Sequence, residues 1–316
     1  MTAVAEVTTL GTWRETDTTM GPVLDALDRL RQCDRRAAVR ASLLTLLAVG
    51  GESVEVDEVF DTVHRLGLVQ PTRVVVVRVL RGERHRLDAR VGVHLQARGS
   101  RCLSIDDVAL EVSGPVTSHL DSLVEPLTLP DLPVVVWCRE RLPPPHSRLI
   151  DLADHLVVDT VAAGGRSRLA AVARLHERTP VVDFAWLRLF PLRRRLAACF
   201  RHTDLRPLLD HVASASVSGP EVERALLAGW LRDRLPGVTV TEEGSEAPLS
   251  VALAGDDFRL AVETGEEALS STLTRPGHEP WRSEAAWSPT TTEGLLAEAL
   301  LHLTPDPIYT AALARA

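Results

Sequence analysis

Residues 127–138 read LTLPDLPVVVWC, and this stretch says most about the fold. Pro130 and Pro133 keep the chain out of a helix just before Val134, and the run that follows is apolar without alternation. A continuous β-branched run is typical of a strand that is covered on both faces, as in the parallel sheets of α/β proteins. The stretch therefore predicts a buried strand over residues 134–137.

The neighbouring stretches alternate apolar runs with amphipathic segments. Residues 39–49 predict a strand that ends at a Gly-Gly turn, residues 52–66 predict a helix, and residues 74–77 predict a second buried strand. Residues 156–158 and 166–178 repeat the strand and the helix further along the chain. Two stretches alternate apolar and polar residues and predict half-exposed antiparallel strands, namely residues 91–95 and 108–112. We expect an α/β domain with a doubly wound, mixed sheet.

From about residue 180 the pattern changes to blocks of short strands and helices, which predicts a smaller α+β domain. Ser218 and Glu221 have the spacing of a capping box at the start of a helix, and Thr290 and Glu293 have the same spacing before the last long helix. The first residues of the chain are polar and rich in threonine. We therefore predict three parts: a flexible arm over residues 1–20, an α/β N-terminal domain over residues 21–179, and an α+β C-terminal domain over residues 180–316.

Composition excludes several classes of function. The 316 residues carry a formal charge of −8, so bulk electrostatics does not favour a phosphate backbone and we expect no nucleic-acid partner. Every basic side chain is arginine, which excludes a Schiff-base lysine and a P-loop lysine. No stretch approaches the roughly 18 apolar residues of a membrane helix, and the amino terminus lacks a leader pattern. We expect a cytoplasmic protein that does not contact a membrane.

The sequence contains no motif that predicts a reaction centre. The histidines show no HExxH spacing and the serines no GxSxG setting, while the pairs Asp106-Asp107 and Asp256-Asp257 are interpreted as turn residues. We therefore predict no catalytic residue, no bound cofactor, no metal ligand and no enzyme activity. The chain has four widely spaced cysteines, Cys33, Cys102, Cys138 and Cys199. They form no CxxC pair and predict neither a zinc ribbon nor a redox dithiol.

One turn is a candidate anion site. Residues 159–167 read DTVAAGGRS and connect a predicted buried strand to a predicted helix, where α/β sheets bind anions through helix amides. The turn matches neither the dinucleotide nor the P-loop pattern, so an ordinary strand-to-helix turn is the alternative. The candidate residues are Asp159, Gly164, Gly165, Arg166 and Ser167.

Residues 181–193 read VVDFAWLRLFPLR and are the candidate partner interface. Asp183, Trp186 and Arg188 come together at a predicted helix start, and the proline that follows predicts a kink or a second helix. Trp186 is expected to lie half in the core and half on the surface, which is the profile of an interface anchor. The interface candidates are Trp186, Arg188 and Arg193.

Eight short strings, in order over nearly the whole chain, carry a family resemblance. They are residues 71–76 (PTRVVV), 87–89 (LDA), 113–115 (SGP), 129–135 (LPDLPVV), 183–188 (DFAWLR), 228–231 (AGWL), 272–275 (TLTR) and 308–313 (IYTAAL). In these strings the chain resembles the actinobacterial members of the glucose-6-phosphate dehydrogenase assembly protein family, OpcA.

The resemblance implies an accessory protein without catalytic activity or cofactor. Its partner would be glucose-6-phosphate dehydrogenase, whose active oligomer it would promote as an allosteric activator, feeding NADPH production in the oxidative pentose phosphate pathway. One alternative is a sugar-phosphate or nucleotide-binding α/β enzyme that uses the turn at residues 159–167, with Arg166 and Arg168 as anion clamps. A second alternative is a scaffold that binds pathway enzymes without activating them.

Overall fold

The first sheet contains eight strands in the computed structural model of the chain, which describes residues 7–32, 43–66, 72–98, 101–201, 203, 205–244 and 248–316. Numbered along the chain, the strands are β1 (Val7–Glu15), β2 (Leu44–Gly50), β3 (Thr72–Val79), β4 (Arg86–Arg98), β5 (Arg101–Ser113), β6 (Val134–Cys138), β7 (His155–Val158) and β8 (Val181–Asp183). Their spatial order is β1-β4-β5-β3-β2-β6-β7-β8. All neighbours run parallel except β4, which is antiparallel to both β1 and β5.

The buried strand predicted at residues 134–137 is confirmed as β6, whose five residues are all buried. It pairs with β2 on one side and β7 on the other, so both of its edges and both of its faces are covered. The predicted antiparallel insertion is the β4–β5 hairpin. Residues 39–42 of the predicted first strand lie outside the described residues, and β2 itself is Leu44–Gly50.

The predicted flexible arm over residues 1–20 was wrong for Val7–Glu15. These residues form β1, which pairs along most of its length with β4 at the edge of the first sheet. The alternation of Thr, Leu and Trp in this segment supplies side chains for a pleated surface, and Leu10 and Trp13 pack against the core. Residues 7–15 of the predicted arm therefore add a strand to the sheet, and residues 1–6 lie outside the described residues.

Helices cover both faces of the first sheet, as the predicted doubly wound arrangement requires. The helices are α1 (Met20–Gln32), α2 (Val56–Leu66), α3 (Leu120–Val124), α4 (Leu149–Leu152), α5 (Leu169–His176), α6 (Phe184–Arg188), α7 (Phe190–Cys199), α8 (Glu221–Arg234), α9 (Thr292–Leu301) and α10 (Pro307–Leu313). Apolar residues of α1, α4 and α5 pack on one face, and those of α2 and α9 pack on the other. Within the described residues, no helix has the length and apolar character needed to span a membrane.

The second sheet has six strands in the order β10-β9-β11-β12-β13-β14. Its strands are β9 (Ser214–Gly219), β10 (Thr239–Gly244), β11 (Ser250–Ala254), β12 (Arg259–Thr264), β13 (Ala268–Thr274) and β14 (Trp281–Ala286). Only β9 and β10 are parallel, because α8 makes the crossover between them. The predicted class, an α/β mixed sheet followed by a smaller α+β part, is confirmed.

The two parts share structural elements. Strand β8 extends the first sheet beyond residue 179, and α9 returns from the C-terminal part to contact α2 and α6. The division at residue 179 stays a prediction. The capping boxes were wrong in detail, because Pro220 precedes α8 without a side-chain cap and Thr291, rather than Thr290, caps α9 through the amide of Gly294.

Candidate functional site

Trp186 lies in the core, and the prediction that it is half surface was wrong. Its side chain is only 3% exposed. The indole Nε1 donates a hydrogen bond to Asp306 Oδ2 at 2.8 Å, and the ring lies 5.6 Å from the ring of Tyr309. Helix α10 carries Tyr309 and is capped by Asp306, so the C-terminal segment covers the indole. Trp186 therefore presents no surface to a partner in this structure.

Arg193 stacks on the same indole, with Cζ 3.5 Å from the ring centroid of Trp186. Burial lowers the pKa of its guanidinium to about 10. A desolvated guanidinium over an indole face is a strong form of cation–π contact. The structure thus brings two of the three interface candidates together, but as an internal stack.

Arg188 is the interface candidate closest to the candidate anion turn. Its two terminal nitrogens donate to both oxygens of Asp159, with Nη1 to Oδ1 at 3.0 Å, and Nη1 lies 3.6 Å from Glu223 Oε1. Burial opposes the charge on Arg188, but the Asp159 carboxylate outweighs it and raises the pKa of the guanidinium. A bidentate pair of this kind fixes the orientation of both side chains. It ties α6 to the turn after β7.

Several hydrogen-bond donors of the candidate anion turn are used by acceptors within the turn itself. Gly164 and Gly165 have φ values of +121° and +77°, which favour glycine at both positions. The amides of residues 163, 164 and 165 already donate to the carbonyl oxygens of residues 159, 161 and 160 respectively. The Ser167 hydroxyl donates to the carbonyl of Gly164 at 3.2 Å. These groups are therefore engaged inside the turn.

The guanidinium of Arg166, which sequence reasoning assigned to an anion, binds a carboxylate of the protein. Arg166 Nη1 donates to Glu242 Oε2 at 2.5 Å, and Arg232 Nη2 donates to Glu242 Oε1 at 3.0 Å. Arg224 Nε lies 3.7 Å from the same carboxylate. Burial opposes ionisation of Glu242, but the arginines prevail and lower its pKa. The cluster joins the turn after β7 to α8 and β10 by charge-assisted bonds.

A second carboxylate occupies the place where open α/β sheets bind ligands, which is the crevice at the switch in strand order. In this sheet the switch falls between the carboxyl ends of β2 and β6, because α2 and α4 leave on opposite faces. Glu140 follows β6, and its Oε1 accepts a hydrogen bond from Ser53 Oγ at 2.5 Å. A Cβ atom at Gly51 would lie 3.4 Å from Glu140 Oε2. A carboxylate at this place repels a phosphate group.

Sequence reasoning misplaced Asp106 and Asp107, which were predicted to be turn residues. Both lie within β5, and both are buried. Asp107 Oδ2 lies 2.9 Å from His64 Nε2 and 3.2 Å from His94 Nε2. Burial opposes the charge on Asp107, but the two imidazoles lower its pKa, and the pKa of His64 is raised by this carboxylate against burial.

Asp106 has a different set of partners. It pairs with Arg31 of α1 and lies 3.4 Å from Arg73 of β3. The pairing of β5 with β3 places Arg73 opposite Asp106, and Arg31 contacts the same carboxylate from α1. No local signal in the sequence predicts either arrangement, since an Asp-Asp pair alone is typical of a turn.

Asp183 is the best-connected buried carboxylate. It caps α6 by accepting from the amide of Ala185 at 3.0 Å, and it accepts from the amide and hydroxyl of Thr160. The Tyr309 hydroxyl donates to Oδ2 at 3.3 Å. Burial raises the pKa of Asp183 to about 6, although the Thr160 and Ala185 donors act in the opposite direction. Burial also raises the pKa of Tyr309.

The described cysteines are buried, and the described residues form no metal-binding group. Cys138 and Cys199 are free and buried, and burial raises the pKa of Cys138 to about 12. The side chains of Cys33 and Cys102 lie outside the described residues. In the part of the chain that the structure describes, no His, Cys, Asp and Glu side chains are grouped so as to hold a metal ion.

Fold and site together define a class: an α/β protein with two sheets, whose candidate anion and interface residues contact other residues of the same chain. Two family models match the chain, and both describe a glucose-6-phosphate dehydrogenase subunit. The model of its N-terminal domain matches residues 64–177, and the model of its C-terminal domain matches residues 179–313. The chain belongs to the OpcA family of glucose-6-phosphate dehydrogenase assembly proteins.

Solved structures similar to this chain are more distant. The super-repressor mutant of Gal80p from Saccharomyces cerevisiae matches with a TM-score of 0.37 and 8% identity, over 85% of this chain and 83% of that chain. UDP-N-acetylglucosamine 3-dehydrogenase GnnA from Acidithiobacillus ferrooxidans gives 0.40 and 7%, over 86% and 94%. An oxidoreductase from Sinorhizobium meliloti gives 0.35 and 11%, over 86% of each chain. A comparison with curated proteins found no match.

Proposed function

We propose that this protein is a non-catalytic assembly factor and allosteric activator of glucose-6-phosphate dehydrogenase in the cytoplasm. The observation that carries the proposal is the match of both family models in sequence order, since one covers residues 64–177 and the other residues 179–313. Activation of that enzyme would feed NADPH production through the oxidative pentose phosphate pathway.

The mechanism that we propose is a shift in the population of enzyme assemblies. A protein that binds one assembly more tightly than another moves the equilibrium toward the tighter complex. A preference of about 100-fold corresponds to about 2.7 kcal/mol, which is within reach of a modest interface. The assembly factor then raises activity without contacting the reacting atoms.

The contact surface that we propose is the junction of α6 and α7. Phe190 at this junction is 49% exposed, although phenylalanine is among the residue types most often buried. It lies two residues after Arg188, whose side chain is about one-third exposed, and it belongs to the same helix as Arg193. Exposed aromatic and arginine side chains dominate the binding energy of many interfaces. Phe190 takes the role of anchor that the sequence analysis gave to Trp186.

A matched pair of substitutions tests this surface together with the function. Phe190→Ser should weaken binding of purified dehydrogenase and its activation by the same factor. Leu301→Ser, at a residue that is equally 49% exposed on α9, should change neither. Both variants should unfold at the temperature of the unmodified chain, because neither side chain belongs to a core cluster. Equal binding by all three proteins would refute the surface, and unchanged dehydrogenase kinetics with the unmodified chain would refute the function.

A second candidate function rests on the three arginines around Glu242 beside the turn after β7. A sugar phosphate or nucleotide that displaced this carboxylate would make the protein a ligand-binding α/β enzyme. Such a ligand should raise the melting temperature of the isolated chain by several degrees, since ligand at 100 times its Kd adds about 2.7 kcal/mol. A thermal-shift series with sugar phosphates in the absence of the dehydrogenase separates this candidate from the assembly factor.

A further inference from the structure

The second sheet is covered on one face and open on the other. Helices α7 and α8 pack on the covered face, where Arg195 of α7 donates hydrogen bonds to the hydroxyls of Ser271 and Ser283. The alternation of side chains along β12 makes the difference clear, because Leu260 and Val262 are buried while Arg259 and Glu263 are exposed. Arg259, Ala261 and Glu263, which alternate with the buried residues of β12, therefore lie on the open face of the sheet.

The centre of this open face is a patch of nine residues on three neighbouring strands. Strand register places Ser250, Glu263 and Ser270 in one row, Ala252, Ala261 and Thr272 in the next, and Ala254, Arg259 and Thr274 in the third. Seven of the nine side chains are Ala, Ser or Thr. The two long side chains, Glu263 and Arg259, rise from this low surface on either side of Ala261. A second sheet can approach such a surface closely.

The two charged side chains of the patch have no charged partner among the described residues. Neither Glu263 nor Arg259 makes an ion pair or a side-chain hydrogen bond with any described residue. This contrasts with Arg166, Arg188 and Arg195, whose guanidinium groups are engaged by carboxylates or hydroxyls. The patch thus carries one free positive and one free negative charge, four residues apart on a single strand, which is about 13 Å.

We propose that the open sheet face binds a second copy of this chain in a twofold symmetric dimer. The twofold axis lies between the two sheets, is perpendicular to the strands and passes over Ala261. It places the Glu263 row of one copy on the Arg259 row of the other, and the Ala261 rows on each other. Glu263 of each protomer then faces Arg259 of its partner, and the smallest side chains lie at the axis. Isologous contact requires this kind of self-complementary patch. A twofold axis along the strands would instead oppose like charges, so the charge pattern selects the first arrangement.

The size of the face predicts a weak dimer. Six strands about 4.8 Å apart, with about six residues at about 3.3 Å each, give roughly 500 Å² of flat surface on each copy. The total, about 1,000 Å², is near the lower limit for a specific interface. The net charge of −8 opposes association of two copies, and physiological salt screens most of that repulsion. We therefore expect a monomer–dimer equilibrium that depends on protein concentration.

Sedimentation of the full chain from about 1 to about 200 µM at physiological salt tests the dimer. The unmodified chain should shift from monomer to dimer over this range. Glu263→Arg and Arg259→Glu should each weaken the dimer about 10-fold or more, because each substitution creates two like-charge contacts across the axis. The double variant Glu263→Arg with Arg259→Glu should restore the dimer to within about 3-fold, because the swapped charges again face opposite charges.

A charge reversal elsewhere is the control. Glu15→Arg, on an exposed residue of β1 in the first sheet, should leave the dimer unchanged. The proposal is overturned if the unmodified chain stays monomeric throughout the range, or if the double variant remains as weak as the single ones. It is also overturned if the single variants lose binding of glucose-6-phosphate dehydrogenase while self-association is unaffected, since the face would then belong to the dehydrogenase. Melting temperatures equal to that of the unmodified chain show that each variant folds.

Discussion

Replacement of the buried Asp183 by Asn should flatten the dependence of stability on pH. The pKa of Asp183 is about 6 in the folded chain and 3.8 is its ordinary value, so the folded state binds the proton more tightly than the unfolded state. The carboxyl then stabilises the fold when protonated, and this contribution is lost as the pH rises from about 4 through 6. At about 1.4 kcal/mol for each pH unit, the full difference is about 3 kcal/mol.

Most of that difference falls within an accessible pH range. Between pH 4.5 and pH 7.5 the linkage relation gives a loss of about 2 kcal/mol for the unmodified chain from this group alone. Asparagine retains an oxygen that accepts from the amides of Thr160 and Ala185, and it is an equally good N-cap. Its amide can donate to the hydroxyls of Thr160 and Tyr309, which both accept as well as donate. Asp183→Asn should therefore fold and lack only the titration.

Urea unfolding of both proteins across this pH range is the assay. We compare the free energy of unfolding of Asp183→Asn with that of the unmodified chain at each pH. The difference, variant minus unmodified, should increase by about 2 kcal/mol between pH 4.5 and pH 7.5. All other titrating groups act in both proteins and cancel in the difference. Asp256→Asn, in the exposed turn between β11 and β12, should show no such gain. If the difference in the free energy of unfolding between Asp183→Asn and the unmodified chain stays constant with pH, the pKa of Asp183 is not raised in the folded chain.

Three further substitutions test the contacts that join distant parts of the chain. Trp186→Phe should lower the free energy of unfolding by about 1–3 kcal/mol in urea titrations, because the indole hydrogen bond to the partly buried Asp306 carboxylate is lost. Asp107→Asn should lower the pKa of His64 below its ordinary value, because burial then acts without the opposing carboxylate; an unchanged NMR titration would contradict the contact. Gly229→Ala should destabilise the fold although alanine favours helices by about 1 kcal/mol, because the new Cβ would lie 2.2 Å from the carbonyl oxygen of Ala312; a more stable variant in thermal denaturation would contradict this.

Elements with a local signal could be predicted from the sequence. Val134–Cys138 is the buried strand that its prolines and its β-branched run indicate, and Asp183 caps the helix that carries Trp186. Both signals depend on residues within a few positions of one another. The same is true of the Asp256-Asp257 turn between β11 and β12, which is confirmed.

Features set by distant partners could not be predicted in this way. Asp107 has the local pattern of a turn, but pairing with two strands places it inside the sheet. Trp186 is covered by a helix whose capping residue, Asp306, lies 120 positions further along the chain. Val7–Glu15 becomes a strand only because β4 offers it an edge. Each of these outcomes depends on tertiary contacts that outweigh local preference.

The candidate site shows the same division. The sequence shows the charged residues of the turn at 159–167 and the charged and aromatic residues of the segment at 181–193, but it does not predict their partners. Arg166 binds Glu242, and Arg193 binds the face of Trp186, so groups that resemble ligand-binding residues serve internal contacts. Phe190, which we propose as an interface anchor, could not be predicted because one exposed aromatic residue at a helix start has no distinctive spacing.

We propose that this chain acts by binding glucose-6-phosphate dehydrogenase rather than by catalysis of its own. Active-enzyme sedimentation tests it most directly, because the advancing boundary is followed by NADPH formation while the dehydrogenase moves through its substrates. We expect a faster boundary with higher specific activity when this chain is present, and no NADPH formation by the chain alone. A boundary of unchanged speed and activity, with this chain left behind it, would show that the chain does not assemble with the dehydrogenase.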